Sequence, residues 1–343
     1  MKSILITGGA GFIGSALVRF LLRETDYTVV NIDKLTYAGS LNNLGEYAKH
    51  PRHIFIHSDI ADVGVLQKIF QQYQPLGVIH LAAESHVDKS IVKPADFFHS
   101  NVLGTYLLLD QTLNYYQRLP ENLKNAFRFV YVSTDEVFGA LKPDEPPFDE
   151  HSPICPNNPY AASKAAAEQF VTTWHKTYGL PTIIAHSSNN YGEYQHAEKL
   201  IPTVIRNALL GKNIPMYGDG KQIRDWIYVK DTVCALWQIF QHGEAGERFV
   251  IGAENEIENR LLIEKICDLL DKHCPIKNNA NISGSLKSYK ALITSVTDRI
   301  NHDRRYAINP TKLKQTLNWQ AQTPFEEGIE KTVLHYLVSS ELS

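Results

Sequence analysis

The fold is decided by the stretch Phe129-Val-Tyr-Val-Ser-Thr-Asp-Glu-Val-Phe-Gly139, and the segment Tyr160-Ala-Ala-Ser-Lys164 follows it along the chain. Its first four residues are apolar or aromatic, which is typical of a strand buried on both faces in a parallel sheet. The predicted strand ends in four polar residues, Ser133 to Glu136. In a doubly wound sheet, ligands bind at the carboxyl ends of the strands. This end of the strand is therefore the first candidate for a functional site.

The second candidate is a tyrosine–lysine pair in the helix that the next segment predicts. Asn158 suits the N-cap of this helix, so Tyr160 and Lys164 lie one turn apart on the same face. A lysine ammonium beside a phenol favours the phenolate, and the pair is a candidate base with a lowered pKa. The same spacing recurs at residues 217–221, but it encloses a glycine turn, where the side chains need not face each other. The alternative for the pair is a surface tyrosine with a solvated lysine.

Composition indicates a globular protein of two lobes. The chain has 343 residues, 43% hydrophobic and 21% charged, with a net charge of −3, and this length supports a large core. It contains no basic block that would indicate a nucleic acid or an anionic membrane as partner, and no apolar run of membrane-spanning length. The amino-terminal residues do not fit a signal peptide. The four cysteines lack metal-ligand or disulfide spacing, so we expect reduced thiols, no metal and a cytoplasmic location.

The amino-terminal region carries a dinucleotide-binding pattern. A predicted strand, Ser3 to Thr7, leads into Gly8-Gly-Ala-Gly-Phe-Ile-Gly14, and a predicted helix runs from Ser15 to Arg23. Glycines let the backbone turn tightly and approach a pyrophosphate at the helix N-terminus. A second predicted strand, Thr28 to Ile32, ends at Asp33, whose carboxylate would accept hydrogen bonds from ribose hydroxyls and repel a 2′-phosphate. The pattern predicts NAD rather than NADP, with a plain glycine turn as the alternative.

Further strand patterns alternate with helical patterns, which predicts repeated βα units. The fold class expected is α/β, a Rossmann-type doubly wound parallel sheet with a smaller C-terminal α/β substrate lobe. We place the NAD-binding domain at residues 1–190, with its sheet completed by later segments including about 225–252. Residues 191–343 then form mainly the substrate lobe. One long helix is predicted from Phe97 to Tyr116.

Several motifs resemble the dTDP-glucose 4,6-dehydratase family of the extended short-chain dehydrogenase/reductase superfamily. The motifs are Asp33-Lys-Leu-Thr-Tyr-Ala-Gly39, Leu81-Ala-Ala-Glu-Ser-His-Val-Asp88, Ser133-Thr-Asp-Glu136, Ser188-Asn-Asn-Tyr-Gly192, Glu198-Lys-Leu-Ile-Pro202, Gln222-Ile-Arg-Asp-Trp226 and His302-Asp-Arg-Arg-Tyr306. The resemblance implies a hydro-lyase that uses NAD to convert dTDP-glucose into dTDP-4-keto-6-deoxyglucose. The alternatives are another nucleotide-sugar 4,6-dehydratase, an epimerase or a decarboxylase of the same superfamily, and a catalytically inactive protein that binds NAD or a sugar nucleotide.

The resemblance also implies a division of catalytic roles. Tyr160 would act as the base at C4, and Lys164 would orient NAD and lower the tyrosine pKa. Thr134 would hydrogen-bond the C4 oxygen. Glu136 would take the C5 proton and Asp135 would protonate the departing C6 oxygen, since elimination needs two carboxyl groups in different protonation states. Without the family, a capped or solvated loop is an equal alternative for the acidic pair.

The remaining implied contacts form two sets. The cofactor set is Gly8, Gly11, Phe12, Ile13, Gly14, Asp33, Lys34, Thr36, Asp59, Ile60, Leu81, Ala82, Ala83, Ser100, Tyr160, Lys164 and Asn190. The substrate set is Ser85, Thr134, Asn189, Lys199, Leu200, Pro215, Tyr217, Arg224, Asn259, Arg299 and His302. A homodimer that pairs the predicted helices Phe97–Tyr116 and Tyr160–Tyr178 is also expected. The chain departs from the family pattern at Phe138, Glu193, His196, Ala197, Ala253, Ile300 and Asn301.

Overall fold

A seven-stranded parallel sheet forms the centre of the computed structural model, which describes residues 2–282, 286–298 and 302–339. The strands are β1 Ser3–Thr7, β2 Thr28–Asp33, β3 His53–His57, β4 Gly77–His80, β5 Arg128–Thr134, β6 Thr182–Ser187, β7 Asn189–Tyr191, β8 Ile214–Tyr217, β9 Ile223–Tyr228, β10 Arg248–Ile251, β11 Glu256–Glu258 and β12 Ile293–Val296. The order in the large sheet is β10-β6-β5-β4-β1-β2-β3. The predicted fold class is confirmed.

Helices cover the sheet on both faces. They are α1 Phe12–Glu24, α2 Val63–Tyr73, α3 Val87–Val92, α4 Pro94–Phe97, α5 Gly104–Tyr116, α6 Glu121–Ala126, α7 Pro159–Tyr178, α8 Leu200–Leu209, α9 Val229–His242, α10 Asn259–His273, α11 Thr311–Leu317 and α12 Phe325–Val338. Short 3₁₀ segments lie at Leu41–Lys49, Asp135–Phe138, Ile276–Asn278 and Tyr289–Leu292. In the described part of the chain, every helix is too short or too polar to cross a membrane.

Successive residues of β1 enter two different cores. Ile4 and Ile6 pack with α1 and α9, and Leu5 packs with α2, α5 and α7 on the opposite face. All three side chains are fully buried, and burying such a side chain stabilises the fold by about 1.5–3 kcal/mol. Because β1 is buried on both faces, its three central residues are all apolar rather than alternating with polar ones.

The strand order reverses between β1 and β4. From β1 the chain builds β2 and β3 to one side and then returns to build β4, β5 and β6 on the other. At this point Thr7 of β1 pairs with Ile32 of β2 and with His80 of β4. A reversal of this kind opens a crevice at the carboxyl ends of the strands, and the glycine loop and the acidic end of β5 both face it.

The carboxyl-terminal half adds a smaller lobe with its own core. There β7, β9 and β11 form one small sheet, β8 and β12 pair in another, and α8, α10 and α12 pack against them. Strand β10 joins the large sheet beside β6, whereas β9 lies in the small sheet. The domain limits placed at residues 190 and 191 remain a prediction.

The helix expected from Phe97 to Tyr116 is not a regular α-helix throughout. A π-helical segment, Phe98–Leu103, separates α4 from α5. Within it Asn101 is buried and its amide donates to Ser163 Oγ at 2.8 Å and to the Glu84 carbonyl at 3.0 Å. A π turn inserts an extra residue into the helix and re-aims the side chains around it, which the apolar spacing of the sequence does not reveal.

Candidate active site

The glycine loop forms a tight cradle at the start of α1. Gly8 has φ +72°, and a Cβ atom at Gly14 would lie 2.1 Å from the Gly8 carbonyl oxygen. The helix begins at Phe12, three residues earlier than predicted, so its first turn lies directly on the loop. A helix N-terminus that backbone alone surrounds suits an anion such as a pyrophosphate.

Asp33 lies at the end of β2, fixed by backbone donors. Its Oδ2 accepts from the Ala10 N–H at 2.9 Å, and its Oδ1 accepts from the Leu35 N–H at 2.8 Å. The neighbouring Lys34 donates to Ser100 Oγ at 2.7 Å and lies 3.5 Å from the Asp59 carboxylate. The carboxylate is therefore fixed beside the glycine loop, where the fingerprint expects a ribose acceptor, and its charge disfavours a 2′-phosphate.

One cavity, called here the cofactor cavity, connects these features with the end of β5. Every residue of the predicted cofactor set lines it, from the glycine loop to Tyr160, Lys164 and Asn190. The cradle and the ribose acceptor thus lie in the same crevice as the predicted catalytic residues. The residues present fit a dinucleotide, and their individual contacts with it remain a prediction.

The 3₁₀ turn Asp135–Phe138 follows β5 directly and presents Asp135 and Glu136. Thr134 caps the turn: its Oγ1 accepts from the Glu136 N–H at 3.3 Å and donates to Asp135 Oδ1 at 3.2 Å. The Asn158 amide donates to Glu136 Oε2 at 3.2 Å. Asn158 thus holds Glu136 as well as capping α7, whereas its sequence position indicated the cap alone.

The two carboxyl groups have different electrostatic environments. Burial, together with the Glu136 and Asp225 charges, raises the pKa of Asp135 to about 8, so Asp135 carries a proton near neutral pH. Burial also raises the pKa of Glu136, but hydrogen bonding from Asn158 and the charge of Arg224 oppose that rise. Asp135 therefore resembles an acid ready to donate, and of the two carboxyl groups Glu136 is the one whose charged form has more stabilising partners.

Tyr160 and Lys164 project from α7 towards this turn. The Lys164 Nζ donates to the Val132 carbonyl at 2.7 Å and lies 4.2 Å from the centre of the Tyr131 ring. Burial lowers the pKa of Lys164 to about 7, against the charge of Glu168.

The pKa of Tyr160 is shifted upward, opposite to the direction predicted from its spacing to Lys164. Burial is the largest cause, and the charges of Glu136 and Asp135 add to it, while a hydrogen bond with Thr134 opposes it. The carboxyl groups near the phenol lie in the turn that follows β5, about 24 residues earlier in the chain. The tyrosine–lysine spacing carries no information about them.

A second cavity, the substrate cavity, adjoins the first. Its lining includes Ser85, Asn189, Lys199, Leu200, Pro215, Tyr217, Arg224, Asn259 and His302 from the predicted substrate set. Thr134 lines the cofactor cavity instead, and Arg299 lies outside the described residues. Glu136 lines both cavities, so the acidic turn stands where they meet.

Charged and aromatic side chains organise the substrate cavity. Arg224 is buried, donates to the Asp303 carbonyl at 2.9 Å and stacks 4.3 Å from the centre of the Tyr306 ring. Lys199 donates to the Ser85 carbonyl at 2.9 Å. Tyr306 also lines the cavity; it is not in the predicted substrate set, although it is the last residue of the His302–Tyr306 motif.

The fold and the site define an NAD-linked enzyme of the extended short-chain dehydrogenase/reductase class, with two neighbouring carboxyl groups, Asp135 and Glu136, in the cavity that Tyr160 and Lys164 also line. The family model for GDP-mannose 4,6 dehydratase matches residues 5–332. The dTDP-glucose 4,6-dehydratase of Haemophilus influenzae is 50% identical over 343 residues, which are 100% of both chains. The chain belongs to this dehydratase family and, within it, to the dTDP-glucose 4,6-dehydratases, as the resemblance predicted.

Solved structures agree with this assignment. DesIV, a dTDP-glucose 4,6-dehydratase from Streptomyces venezuelae solved with NAD bound, has a TM-score of 0.87 and 37% identity, and the match covers 98% of this chain and 97% of that one. The Bacillus anthracis enzyme of the same name, in complex with NAD, has a TM-score of 0.86 and 38% identity, with 99% and 98% covered.

Proposed function

We propose that this chain is a hydro-lyase that dehydrates dTDP-glucose to dTDP-4-keto-6-deoxyglucose with NAD as cofactor. The observation that carries the proposal is the buried Asp135–Glu136 pair, held in two electrostatic environments where the cofactor and substrate cavities meet. Full-length relatives of that name at about half identity support the substrate. An epimerase or a decarboxylase is not favoured, and an inactive binding protein would have no use for this arrangement.

The cofactor cavity fits NAD. When bound, NAD supplies the acceptor for the C4 hydride and returns the same hydride to C6. The cradle of Gly8 and Gly14 would hold the pyrophosphate, and Asp33 would accept from the adenosine ribose. The Lys164 ammonium, buried beside the Val132 carbonyl, would orient the other ribose.

Oxidation at C4 needs a base for the hydroxyl proton, and Tyr160 is placed for this role. Its phenol lies against Thr134, whose hydrogen bond lowers the pKa of Tyr160 while burial and the charges of Glu136 and Asp135 raise it. Deprotonating Tyr160 in this setting costs free energy, and the resulting phenolate is a strong base. A strong base suits proton transfer that is coupled to departure of the hydride. Once Tyr160 has lost its own proton to solvent, the phenolate takes the proton of the C4 hydroxyl, and C4 becomes a ketone as its hydride departs.

Elimination follows because the ketone acidifies the C5 hydrogen. Glu136 takes that proton, the electrons of the C5–H bond form the C5–C6 double bond, and the C6–O bond breaks. Asp135, which holds a proton because its pKa is about 8, donates it to the departing oxygen, so that water leaves. Return of the hydride to C6 and of a proton to C5 completes the reaction and restores the oxidised cofactor.

A panel of nucleotide sugars tests the proposal. The purified protein is incubated with dTDP-glucose, UDP-glucose and GDP-mannose, and the 4-keto product is detected by its absorbance in alkali. We expect product from dTDP-glucose without a stoichiometric supply of added NAD, since the hydride is returned. Product from another sugar alone would overturn the substrate, and consumption of NAD in proportion to product would overturn the mechanism.

The proposal includes a homodimer, supported by an aromatic patch on α5 and α7. Tyr106, Phe170 and Trp174 contact one another edge to face, with ring centroids 5.7–6.1 Å apart. Tyr178 extends the patch: its ring contacts Trp174 with centroids 5.3 Å apart, and the residue is 50% exposed. A contiguous exposed apolar patch marks an interaction surface. Light scattering at micromolar concentration should give the dimer mass, and a monomer mass would contradict it.

The cellular location is part of the same proposal. Cys155, Cys234, Cys267 and Cys274 are free thiols in this structure. Free thiols suit a reducing compartment, so we propose the cytoplasm. Fractionation of cells that express the protein tests this directly.

A further inference from the structure

Glu168 is a fully buried carboxylate behind the catalytic end of β5. It lies on α7, and its Oε2 accepts from Ser133 Oγ at 3.1 Å and contacts His186 Nε2 at 2.9 Å. Its Oε1 lies 3.3 Å from an Arg248 guanidinium nitrogen. A carboxylate without access to water needs such partners, and here they come from three neighbouring strands, β5, β6 and β10.

These partners connect Glu168 to the acidic turn. Ser133 directly precedes Thr134 and pairs with His186 in the register of β5 and β6. The His186 ring packs on the Phe138 ring, the last residue of the turn, with centroids 4.8 Å apart. Glu168 is therefore connected to both ends of the segment that presents Asp135 and Glu136, directly at Ser133 and through His186 at Phe138.

Glu168 also lies one helical turn from Lys164. The two side chains occupy the same face of α7 and contact consecutive residues of β5, Lys164 at the Val132 carbonyl and Glu168 at Ser133. Burial raises the pKa of Glu168, but His186, Arg248 and Ser133 together bring it below its ordinary value. The carboxylate is therefore ionised and raises the pKa of Lys164 against the effect of burial.

The other ionisable groups around Lys164 do not supply a negative charge that would stabilise its ammonium form. Tyr131 faces the ammonium with its ring and Tyr160 lies one turn away on α7, and both phenols have pKa values raised by burial, so they are neutral. His80 on β4 has a pKa that burial and the Lys164 charge both lower. Among these neighbours Glu168 is the anionic group.

We propose that Glu168 is a positioning residue for hydride transfer, keeping Lys164 in its ammonium form and holding the Ser133–Glu136 segment in place. Since the inference rests on the proposed function, its test begins from a variant that isolates the first half of the reaction. Glu136→Gln should stall elimination and allow bound NADH to form from dTDP-glucose. If this variant forms no NADH, the proposed mechanism fails before Glu168 is examined.

The decisive measurement is the pH dependence of NADH formation in Glu136→Gln with and without Glu168→Gln. Removing the negative charge lowers the pKa of Lys164, so the ammonium is lost at lower pH. The alkaline limb of the pH–rate profile should therefore move to lower pH by about one unit or more. At pH values above the limb, NADH formation should then be about tenfold slower. Glu168→Asp, which keeps the charge, should keep the limb of the parent. If Glu168 had a purely structural role, Glu168→Gln would lower the rate of NADH formation by the same factor at every pH.

A second variant gives a shift of opposite sign and avoids loss of the buried charge. Arg248 is partly exposed, so Arg248→Gln is expected to fold, and it leaves the Glu168 charge less compensated. The alkaline limb should then move up. The charge of Lys164 can also be measured without substrate, from the pH dependence of the ¹³Cε chemical shift in lysine-labelled protein. The Lys164 signal is assigned as the one that is missing in Lys164→Arg. Unchanged Lys164 titration in both Glu168→Gln and Arg248→Gln overturns the proposal.

Discussion

The wall of the cofactor cavity at the glycine loop is backbone, whereas the neighbouring end of β5 presents ionisable side chains. At the loop, Gly8 and Gly14 let backbone segments pack closely, because a Cβ at either position would collide with backbone. At β5, the properties of Asp135 depend on charges from Glu136 and Asp225. The shape of the backbone thus determines what the glycine loop can bind, whereas protonation state determines what the acidic turn can do.

The difference has a consequence for substitutions. A change at the glycine loop acts through volume, so its effect should be the same at every pH. A change in the acidic turn acts through charge, so its effect should depend on pH and on the step of the reaction that is observed. The four predictions below separate these behaviours.

The largest effect is expected within the charged region, where Tyr160→Phe and Glu136→Gln should fail at different steps. Each removes a proton-transfer group, which costs on the order of 10²–10⁴ in rate. Glu136→Gln leaves Tyr160 and Lys164 intact, so mixing with an equal concentration of dTDP-glucose should build up near-ultraviolet absorbance of bound NADH. Tyr160→Phe should show no build-up, because C5 is acidic only after C4 is oxidised.

The control for this contrast is the amount of bound cofactor. Both variants should retain NAD like the parent protein, as measured by release after denaturation. If both lose product with equal NADH signals, the assignment of separate steps to Tyr160 and Glu136 is wrong.

The next effect concerns the shape-defined region. In Gly14→Ala the new Cβ would lie 2.1 Å from the Gly8 carbonyl oxygen, and relieving such a clash typically costs about 1–3 kcal/mol. NAD should therefore bind roughly 10–100-fold more weakly by calorimetry, equally at pH 6 and pH 8. Gly64→Ala is the matched control, since its Cβ would be 3.4 Å from Asp62 Oδ1 and should leave NAD binding unchanged. A pH-dependent loss in Gly14→Ala would contradict a purely steric cause.

A smaller effect is expected in the pH dependence of stability. The folded-state pKa of Asp135 is about 8, well above the unfolded value near 3.9, so the folded protein binds more protons between these limits. Stability should therefore fall as pH rises through this window. Asp135→Asn removes this ionisation, and its free energy of unfolding in urea should gain about 1–2 kcal/mol on the parent between pH 6 and pH 7. If the unfolding free energies of the two proteins changed in parallel with pH, the pKa of Asp135 would be the same in the folded and unfolded states.

Local patterns in the sequence were sufficient for the shape-defined region. Gly8, Gly14 and Asp33 lie within one βαβ unit, so their spacing predicts their geometry. The same holds for Tyr160 and Lys164, which share one face of α7, but not for the pKa of Tyr160, because its charged neighbours lie in the turn that follows β5. The contacts of Glu168 join residues up to 80 positions apart in the chain, and no local spacing predicts them.

The smallest effect should come from substitution of Asn158, which has both a structural role, as the cap of α7, and an electrostatic role, as a donor to Glu136. Its Oδ1 accepts from the Ala161 N–H at 2.8 Å to cap α7, and its amide donates to Glu136 Oε2 at 3.2 Å and so lowers the pKa of Glu136. Asn158→Ala should lose both, with a cap loss of about 0.5–2 kcal/mol in unfolding free energy. Asn158→Ser keeps a capping oxygen but loses the amide donor. Its stability should stay close to that of the parent, while the acid limb of product formation moves up by less than about one pH unit, because Glu136 must be ionised to take the C5 proton. An acid limb that shifts in Asn158→Ala but not in Asn158→Ser would assign the effect to the helix cap and remove Asn158 from the control of Glu136.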